Sequence, residues 1–207
     1  MKALASTLLY LARHGEQELP ASGGGDGGLS ALGERQAHQL GRRVAGVRFA
    51  AVRHSPLRRA AETAQITAGY LPGVPVSGSE LLRDRTPVPT SAQAGDVPAQ
   101  FRPFLEQVQE DVRDEGGEQL TAAIGELSVP GDQDRCELLI THNFVIGWFV
   151  RQALDAPAWR WIGLNQFNCA LTIIQYQPGR PPMLVTFNDL GHLPVELRGD
   201  APIALRS

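Results

Sequence analysis

The chain has 207 residues, of which 43% are hydrophobic and 20% are charged, and we expect residues 1–207 to form a single globular domain with a sizeable core. The formal net charge of −3 argues against broad electrostatic binding to nucleic acid or to an anionic membrane. The 2 cysteines are too few for a disulfide framework, and no apolar run approaches the roughly 18 residues of a membrane span. We therefore expect a cytoplasmic protein with no membrane association.

The first half of the chain alternates between strand and helix patterns. A continuous apolar run at 7–12 predicts a strand that is buried on both faces of a parallel sheet. Apolar residues at helical spacing predict a helix within 29–46, with Ser30 as its N-cap. A short strand at 49–54 and a helix from about 56 to 70 complete this half, since proline is favoured in a first helical turn.

The second half repeats the alternation after an irregular stretch. Residues 73–97 are rich in proline and predict irregular structure, and 97–127 predicts one or two amphipathic helices broken at Gly116-Gly117. A buried strand, a helix and a hairpin follow at 136–141, 143–154 and 169–188. Strands that alternate with helices indicate a layered α/β domain with a mainly parallel sheet and a C-terminal hairpin.

Polar groups follow three of the predicted strands where each one ends. The first strand ends at Arg13-His14, the second at His54-Ser55 and the third at Thr141-His142, while Arg58 and Arg59 begin the helix after the second. In open α/β sheets, ligands bind outside the carboxyl ends of the strands. Arginine forks and helix N-termini both suit phosphate oxygens, so neighbouring strands would build an anion pocket here.

Several of these segments form motifs in a fixed order. Five motifs follow one another between about Leu8 and Leu193. In chain order they are the tripeptide Arg13-His14-Gly15, the segments LSALGERQA, SPLRRAAETA and LLITHNFVIGWFVRQAL, and Asn168 with Ala170 and Thr172. This series resembles the histidine phosphatase superfamily, which has the phosphoglycerate mutase-like fold. The resemblance implies a three-layer αβα sandwich.

The resemblance also implies a role for each site residue. His14 is expected to be the nucleophile and to form a phosphohistidine, while Arg13, Arg59 and His142, together with Glu16, hold the phosphate. His142 is also expected to act in catalysis. No metal ion and no cofactor are implied.

The general acid has two candidates. His54-Ser55 and the segment LLRDRTPVP resemble the branch of the superfamily that contains the mutase-like serine/threonine protein phosphatase. In that segment Asp84 stands where a glutamate is usual, and by the resemblance it is the acid that protonates the leaving group. Glu80, four residues earlier, is the alternative acid.

Three functions stay open from the sequence. The first is a phosphatase acting on a phosphorylated metabolite or a phosphoprotein, the second is a phosphoglycerate mutase-type isomerase, and the third is an inactive phosphate-binding module. A homodimer is possible in each case. The stretch SGGGDGG at 22–28 predicts a flexible loop, and Arg58 predicts a surface charge.

Overall fold

The computed structural model describes residues 5–18 and 26–199, and strands and helices alternate along this part of the chain. The strands are β1 (Thr7–Arg13), β2 (Ala51–His54), β3 (Val76–Gly78), β4 (Thr86–Val88), β5 (Arg113–Glu115), β6 (Arg135–Thr141), β7 (Leu171–Tyr176) and β8 (Met183–Asp189). The helices are α1 (Ala31–Val44), α2 (Arg58–Ala68), α3 (Arg102–Glu106), α4 (Glu118–Leu127) and α5 (Asn143–Ala153).

The main sheet is mostly parallel. Its strand order is β3-β2-β6-β1-β7-β8 within the described residues, with the first four strands parallel to one another. Strand β7 runs antiparallel to β1 and forms the predicted C-terminal hairpin with β8. The register sets Arg13 beside Thr141 and His54 beside Ile140, so the chain segments that follow β1, β2 and β6 leave the sheet at one edge.

Two apolar cores lie on opposite faces of this sheet. Leu9 and Leu11 of β1 pack in the core that contains α4 and α5, whereas Ala12 packs in the core that contains α1 and α2. Each fully buried leucine contributes roughly 1.5–3 kcal/mol through the hydrophobic effect. This arrangement is the predicted three-layer αβα sandwich, and the fold class is confirmed. Among the described residues, no helix combines the length and the apolar character that crossing a bilayer requires.

The N-termini of the first two helices are built differently. Ser30 caps α1 as predicted, because its Oγ accepts a hydrogen bond from the Gly33 N–H at 3.0 Å. Helix α2 begins at Arg58 rather than at Pro56 and ends at Ala68, since Leu57 still has extended backbone angles. Leu57 has no side-chain oxygen to cap the helix, so the cap of α2 comes from another segment.

The prediction for 73–127 was wrong in two places. Residues 73–97 contain β3 and β4, and 97–127 contains β5 besides the helices α3 and α4. Strands β4 and β5 pair in parallel as a second small sheet, and three-residue strands with distant partners leave little pattern in a sequence. Gly116 and Gly117 have positive φ angles of 65° and 69° and form the turn between β5 and α4 instead of breaking a helix.

Candidate active site

The site residues meet at the carboxyl edge of the main sheet. His14 follows β1, His142 follows β6, and Arg59 lies in the first turn of α2, which follows β2. All three are buried, and the centroids of the two imidazole rings are 5.1 Å apart. The register of the parallel strands therefore brings together the three residues that the sequence placed at separate strand ends.

The imidazole of His14 is oriented by its own main chain. Its Nδ1 lies 2.7 Å from the carbonyl oxygen of Gly15, which can only accept, so Nδ1 carries the proton and Nε2 carries the lone pair. Burial lowers the pKa of His14 well below its usual value, and the charges of Arg13 and Arg59 act in the same direction. His14 is therefore a neutral imidazole at neutral pH, with the lone pair on Nε2.

Two side chains hold the loop that carries His14. Asn168 Nδ2 donates to the His14 carbonyl oxygen at 2.8 Å, and the Gly15 N–H donates to Thr63 Oγ1 at 3.0 Å. The Thr63 hydroxyl in turn donates to the carbonyl oxygen of Arg59 at 2.7 Å. This network links the loop that carries His14 to α2, which accounts for the threonine in the segment SPLRRAAETA.

Arg59 is the centre of the cluster. Its Nε donates to His14 Nε2 at 3.1 Å, and its Nη2 donates to Asp84 Oδ2 at 2.8 Å and contacts His142 Nδ1 at 3.2 Å. Its Nη1 contacts Asp26 Oδ1 at 3.4 Å. One edge of the guanidinium, formed by Nε and Nη2, thus faces both histidines. This edge has the fork geometry that binds two phosphate oxygens.

The ring of His142 is fixed through Ser55. Its Nδ1 faces the Arg59 guanidinium, which can only donate, so Nδ1 accepts and Nε2 donates to Ser55 Oγ at 2.7 Å. Burial lowers the pKa of His142 well below its usual value, as do the nearby charges. The residue also stands at the N-terminus of α5, where free N–H groups favour an anion.

Arg13 lies at the end of β1 and is held by the loop before β7. Its Nη1 donates to the Gln166 carbonyl oxygen at 2.8 Å, while its buried Nε has no hydrogen-bond partner among the described residues. Its positive charge lowers the pKa of both His14 and His142. Arg13 is thus a partly buried cation beside the histidine pair.

The two candidate acids have different environments. Asp84 contacts Arg59 at 2.8 Å and lies 3.5 Å from His142 Nδ1, whereas the Glu80 side chain is 69% exposed and pairs with Arg83 at 2.7 Å. Burial raises the pKa of Asp84 despite the arginines, and the hydrogen bond from Arg83 lowers the pKa of Glu80. The structure therefore brings Asp84 into the cluster and leaves Glu80 outside it.

Glu16 and Arg58 do not join this cluster. The Glu16 carboxylate accepts a hydrogen bond from Ser30 Oγ at 2.9 Å, which ties it to the start of α1. The Arg58 side chain is 66% exposed and pairs with Glu62 at 2.7 Å, in agreement with its interpretation as a surface charge.

The sequence reasoning missed one residue that contacts the site. Asp26 belongs to the SGGGDGG stretch, which was expected to be a flexible loop, yet its carboxylate contacts both Arg59 and the start of α2. Residues 22–25 of that stretch lie outside the described residues. The sequence signal for this role of Asp26 was its single carboxylate within a stretch of glycines. Within the described part of the chain, no three His, Cys, Asp or Glu side chains are grouped to hold a metal ion.

Comparison with known proteins agrees with this geometry. The model of the histidine phosphatase superfamily (branch 1) matches residues 9–190, which include every group of the cluster. The chain belongs to the histidine phosphatase superfamily. Among solved structures of this fold, Bacillus stearothermophilus YhfR superposes with a TM-score of 0.69 at 25% identity, and the match covers 90% of this chain and 98% of that one.

Other members of the superfamily carry functional names. The mouse serine/threonine-protein phosphatase PGAM5, mitochondrial, is 31% identical over 93% of this chain, and the match spans 66% of that protein's length. A probable phosphoglycerate mutase, GpmB of Salmonella choleraesuis, is 29% identical over 89% of this chain and 94% of its own length. Related proteins are therefore named both as phosphatases and as phosphoglycerate mutases.

Proposed function

We propose that the chain is a metal-independent phosphatase that hydrolyses phosphomonoesters through a phosphohistidine on His14. The observation that carries the proposal is the pairing of a neutral His14 Nε2 with the Nε and Nη2 edge of Arg59, 3.1 Å away. A phosphate group that takes the place of Nε2 as the acceptor of that Arg59 N–H would free the Nε2 lone pair and bring its phosphorus against it. Arg13 and His142 then add positive charge and a helix N-terminus around the transferring group.

In the first step, Nε2 of His14 attacks phosphorus and the bond from phosphorus to the ester oxygen breaks. The electron pair of that bond goes to the leaving oxygen, which takes the proton of Asp84. In the second step, the Asp84 carboxylate takes a proton from water, whose oxygen attacks phosphorus. The P–N bond breaks, its electron pair returns to Nε2, and inorganic phosphate is released.

This mechanism needs a protonated carboxyl beside a neutral imidazole. With unperturbed pKa values, the carboxyl loses its proton at a lower pH than the imidazole, so the required pair is a minor species. In the cluster, burial raises the pKa of Asp84 and lowers the pKa of His14, which increases the population of the required pair. The buried environment thus supports this assignment of nucleophile and acid.

Hydrolysis is favoured over isomerisation by the contacts of the neighbouring arginines. A mutase must also hold a substrate carboxylate, and the basic residues between Arg83 and Phe104 are Arg83, Arg85 and Arg102. Arg83 pairs with Glu80, Arg85 donates to the Asp111 carbonyl oxygen, and Arg102 donates to the Val97 carbonyl oxygen. Since each one is engaged locally, we infer a phosphatase whose substrate is a phosphoprotein or a phosphorylated metabolite.

The test is to trap the phosphoenzyme. Brief incubation with p-nitrophenyl phosphate should give a base-stable, acid-labile phosphate label on His14. The variant His14→Asn should lack this label, and its kcat should be lower than that of the wild type by more than ~10⁴-fold. His54→Asn is the matched control, because the His54 Nδ1 makes the same contact with the next carbonyl oxygen at 2.8 Å. It should keep the label. Equal labelling of His14→Asn, or a requirement for added Mg²⁺ after EDTA treatment, would contradict the proposal.

A further inference from the structure

The carboxylate of Asp26 bridges two adjacent residues of α2. Its Oδ2 accepts a hydrogen bond from the Arg58 N–H at 2.7 Å, and its Oδ1 contacts Arg59 Nη1 at 3.4 Å. Because Leu57 cannot cap the helix, Asp26 supplies the missing cap from a distant segment. One carboxylate therefore fixes both the first turn of α2 and the guanidinium that the turn carries.

The contact with Arg59 is on the side of the guanidinium away from the histidines. Nε and Nη2 face His14, Asp84 and His142, whereas Nη1 faces Asp26. A phosphate group can therefore replace these acceptors on the Nε and Nη2 edge while Nη1 stays paired with Asp26. Such a pairing restricts rotation of a long side chain that would otherwise adopt several rotamers.

Asp26 is itself held in place by close backbone packing. The Glu18 N–H donates to the Gly28 carbonyl oxygen at 3.0 Å, and Gln17 and Leu29 form an antiparallel bridge. A Cβ atom on Gly27 would lie 2.3 Å from the Glu18 carbonyl oxygen, so this close approach requires glycine. The glycines after Asp26 thus let the segment pack tightly enough to reach α2.

We propose that Asp26 is a positioning residue for phosphate transfer. It holds Arg59 so that the Nε and Nη2 edge points at the phosphate group, and it acts on the reaction through Arg59. This inference rests on the proposed phosphatase function. Removing Asp26 should impair phosphate binding and phosphate transfer, but it should not impair proton donation to the leaving group.

The experiment compares Asp26→Ala, Asp26→Asn and Glu62→Gln in the full chain. Glu62 is a matched control, because its carboxylate also ties the segment after Asp26 to α2 by accepting a hydrogen bond from the Leu29 N–H at 2.7 Å. Glu62 also pairs with Arg58, but it has no described contact with Arg59. Asp26→Ala should lower kcat/KM about 10- to 100-fold, the cost of a small misplacement of a catalytic group. The inhibition constant of inorganic phosphate should rise, and alkyl and aryl phosphates should be affected equally. Glu62→Gln should change these values less than about 3-fold.

Two further measurements separate positioning from folding. The amide of Asp26→Asn has one acceptor oxygen and can keep the cap on α2, so its melting temperature should stay near that of the wild type while kcat/KM falls. In an Arg59→Ala background, Asp26→Ala should have little additional effect on kcat/KM, because coupled residues are not additive.

Each alternative outcome overturns a defined claim. Equal losses in Asp26→Ala and Glu62→Gln would mean that Asp26 only tethers its segment, and full additivity with Arg59→Ala would mean that it does not act through Arg59. Either result contradicts the positioning role. An active wild type with unchanged Asp26 variants would overturn this inference alone, whereas an inactive wild type would overturn it together with the proposed function.

Discussion

The cluster takes its groups from two regions that are built in different ways. His14, Arg59 and His142 follow parallel strands of the main sheet and are buried. Asp84 belongs to the excursion at 79–117, which contains the small β4-β5 sheet and the five-residue helix α3. The excursion also lines an open pocket of about 370 Å³. The strand ends thus supply the buried part of the cluster, whereas the proposed proton donor comes from a separate excursion and is partly exposed.

Among tests of this comparison, the largest loss of activity is expected from a substitution of the proposed acid, Asp84. Asp84→Asn should lower kcat/KM for alkyl phosphates by ~10²–10⁴-fold, because a departing alkoxide needs a proton. The loss should be much smaller for p-nitrophenyl phosphate, whose leaving group departs unaided. Single-turnover rates of phosphorylation with both substrates are the measurement.

Glu80→Gln is the control within the same excursion. Because the Glu80 side chain is exposed and paired with Arg83, the variant should show no dependence on the leaving group. If Glu80→Gln makes kcat/KM depend on the leaving group and Asp84→Asn does not, the acid is Glu80. The contact of Asp84 with Arg59 would then not serve proton donation.

The next effect is in the phosphate pocket and compares two adjacent arginines. Arg59→Ala should lower kcat by about two to three decades, since removing one charge-assisted donor from such a site costs ~2.7–4 kcal/mol of transition-state stabilisation. Vanadate binding should weaken in parallel. Arg58→Ala removes only an exposed pair with Glu62 and should change kcat less than about 3-fold. Similar losses in both variants would show that the inward face of α2 has been assigned wrongly.

The smallest effect is on stability and concerns the buried histidines. Because the folded state lowers the pKa of His14 and His142, the unfolded state binds more protons than the folded state below about pH 6.5. The free energy of unfolding should therefore decrease as the pH is lowered through this range. Each histidine contributes at most about 1.4 kcal/mol per pH unit. The raised pKa of Asp84 acts in the opposite direction.

Urea unfolding at pH 7 and pH 5 measures this difference in stability. The double variant His14→Asn, His142→Asn should lose less stability between these two pH values than the wild type. An equal loss in both proteins would assign the pH dependence to other groups.

Much of the pocket could be predicted from the sequence, because its residues follow long, strongly apolar strands. The strand before Arg13-His14 contains the apolar run 8–12, and the strand before Thr141-His142 contains the buried apolar run 138–140. Such runs can be recognised in a sequence without any tertiary contact. The excursion was predicted poorly. Its strands at Thr86–Val88 and Arg113–Glu115 exist only because they pair with each other, and a sequence pattern of three residues does not reveal the partner.

The sequence by itself determined the alternation of strands and helices, the order of the motifs and the presence of Arg13, His14, Arg59 and His142 at element ends. Tertiary structure decided which groups touch. It turned Glu16 toward Ser30, brought Asp84 rather than Glu80 to Arg59, and set Asp26 behind the same guanidinium. The physical reason is that propensity and periodicity act between neighbours along the chain, whereas a side chain's partners depend on packing between distant segments.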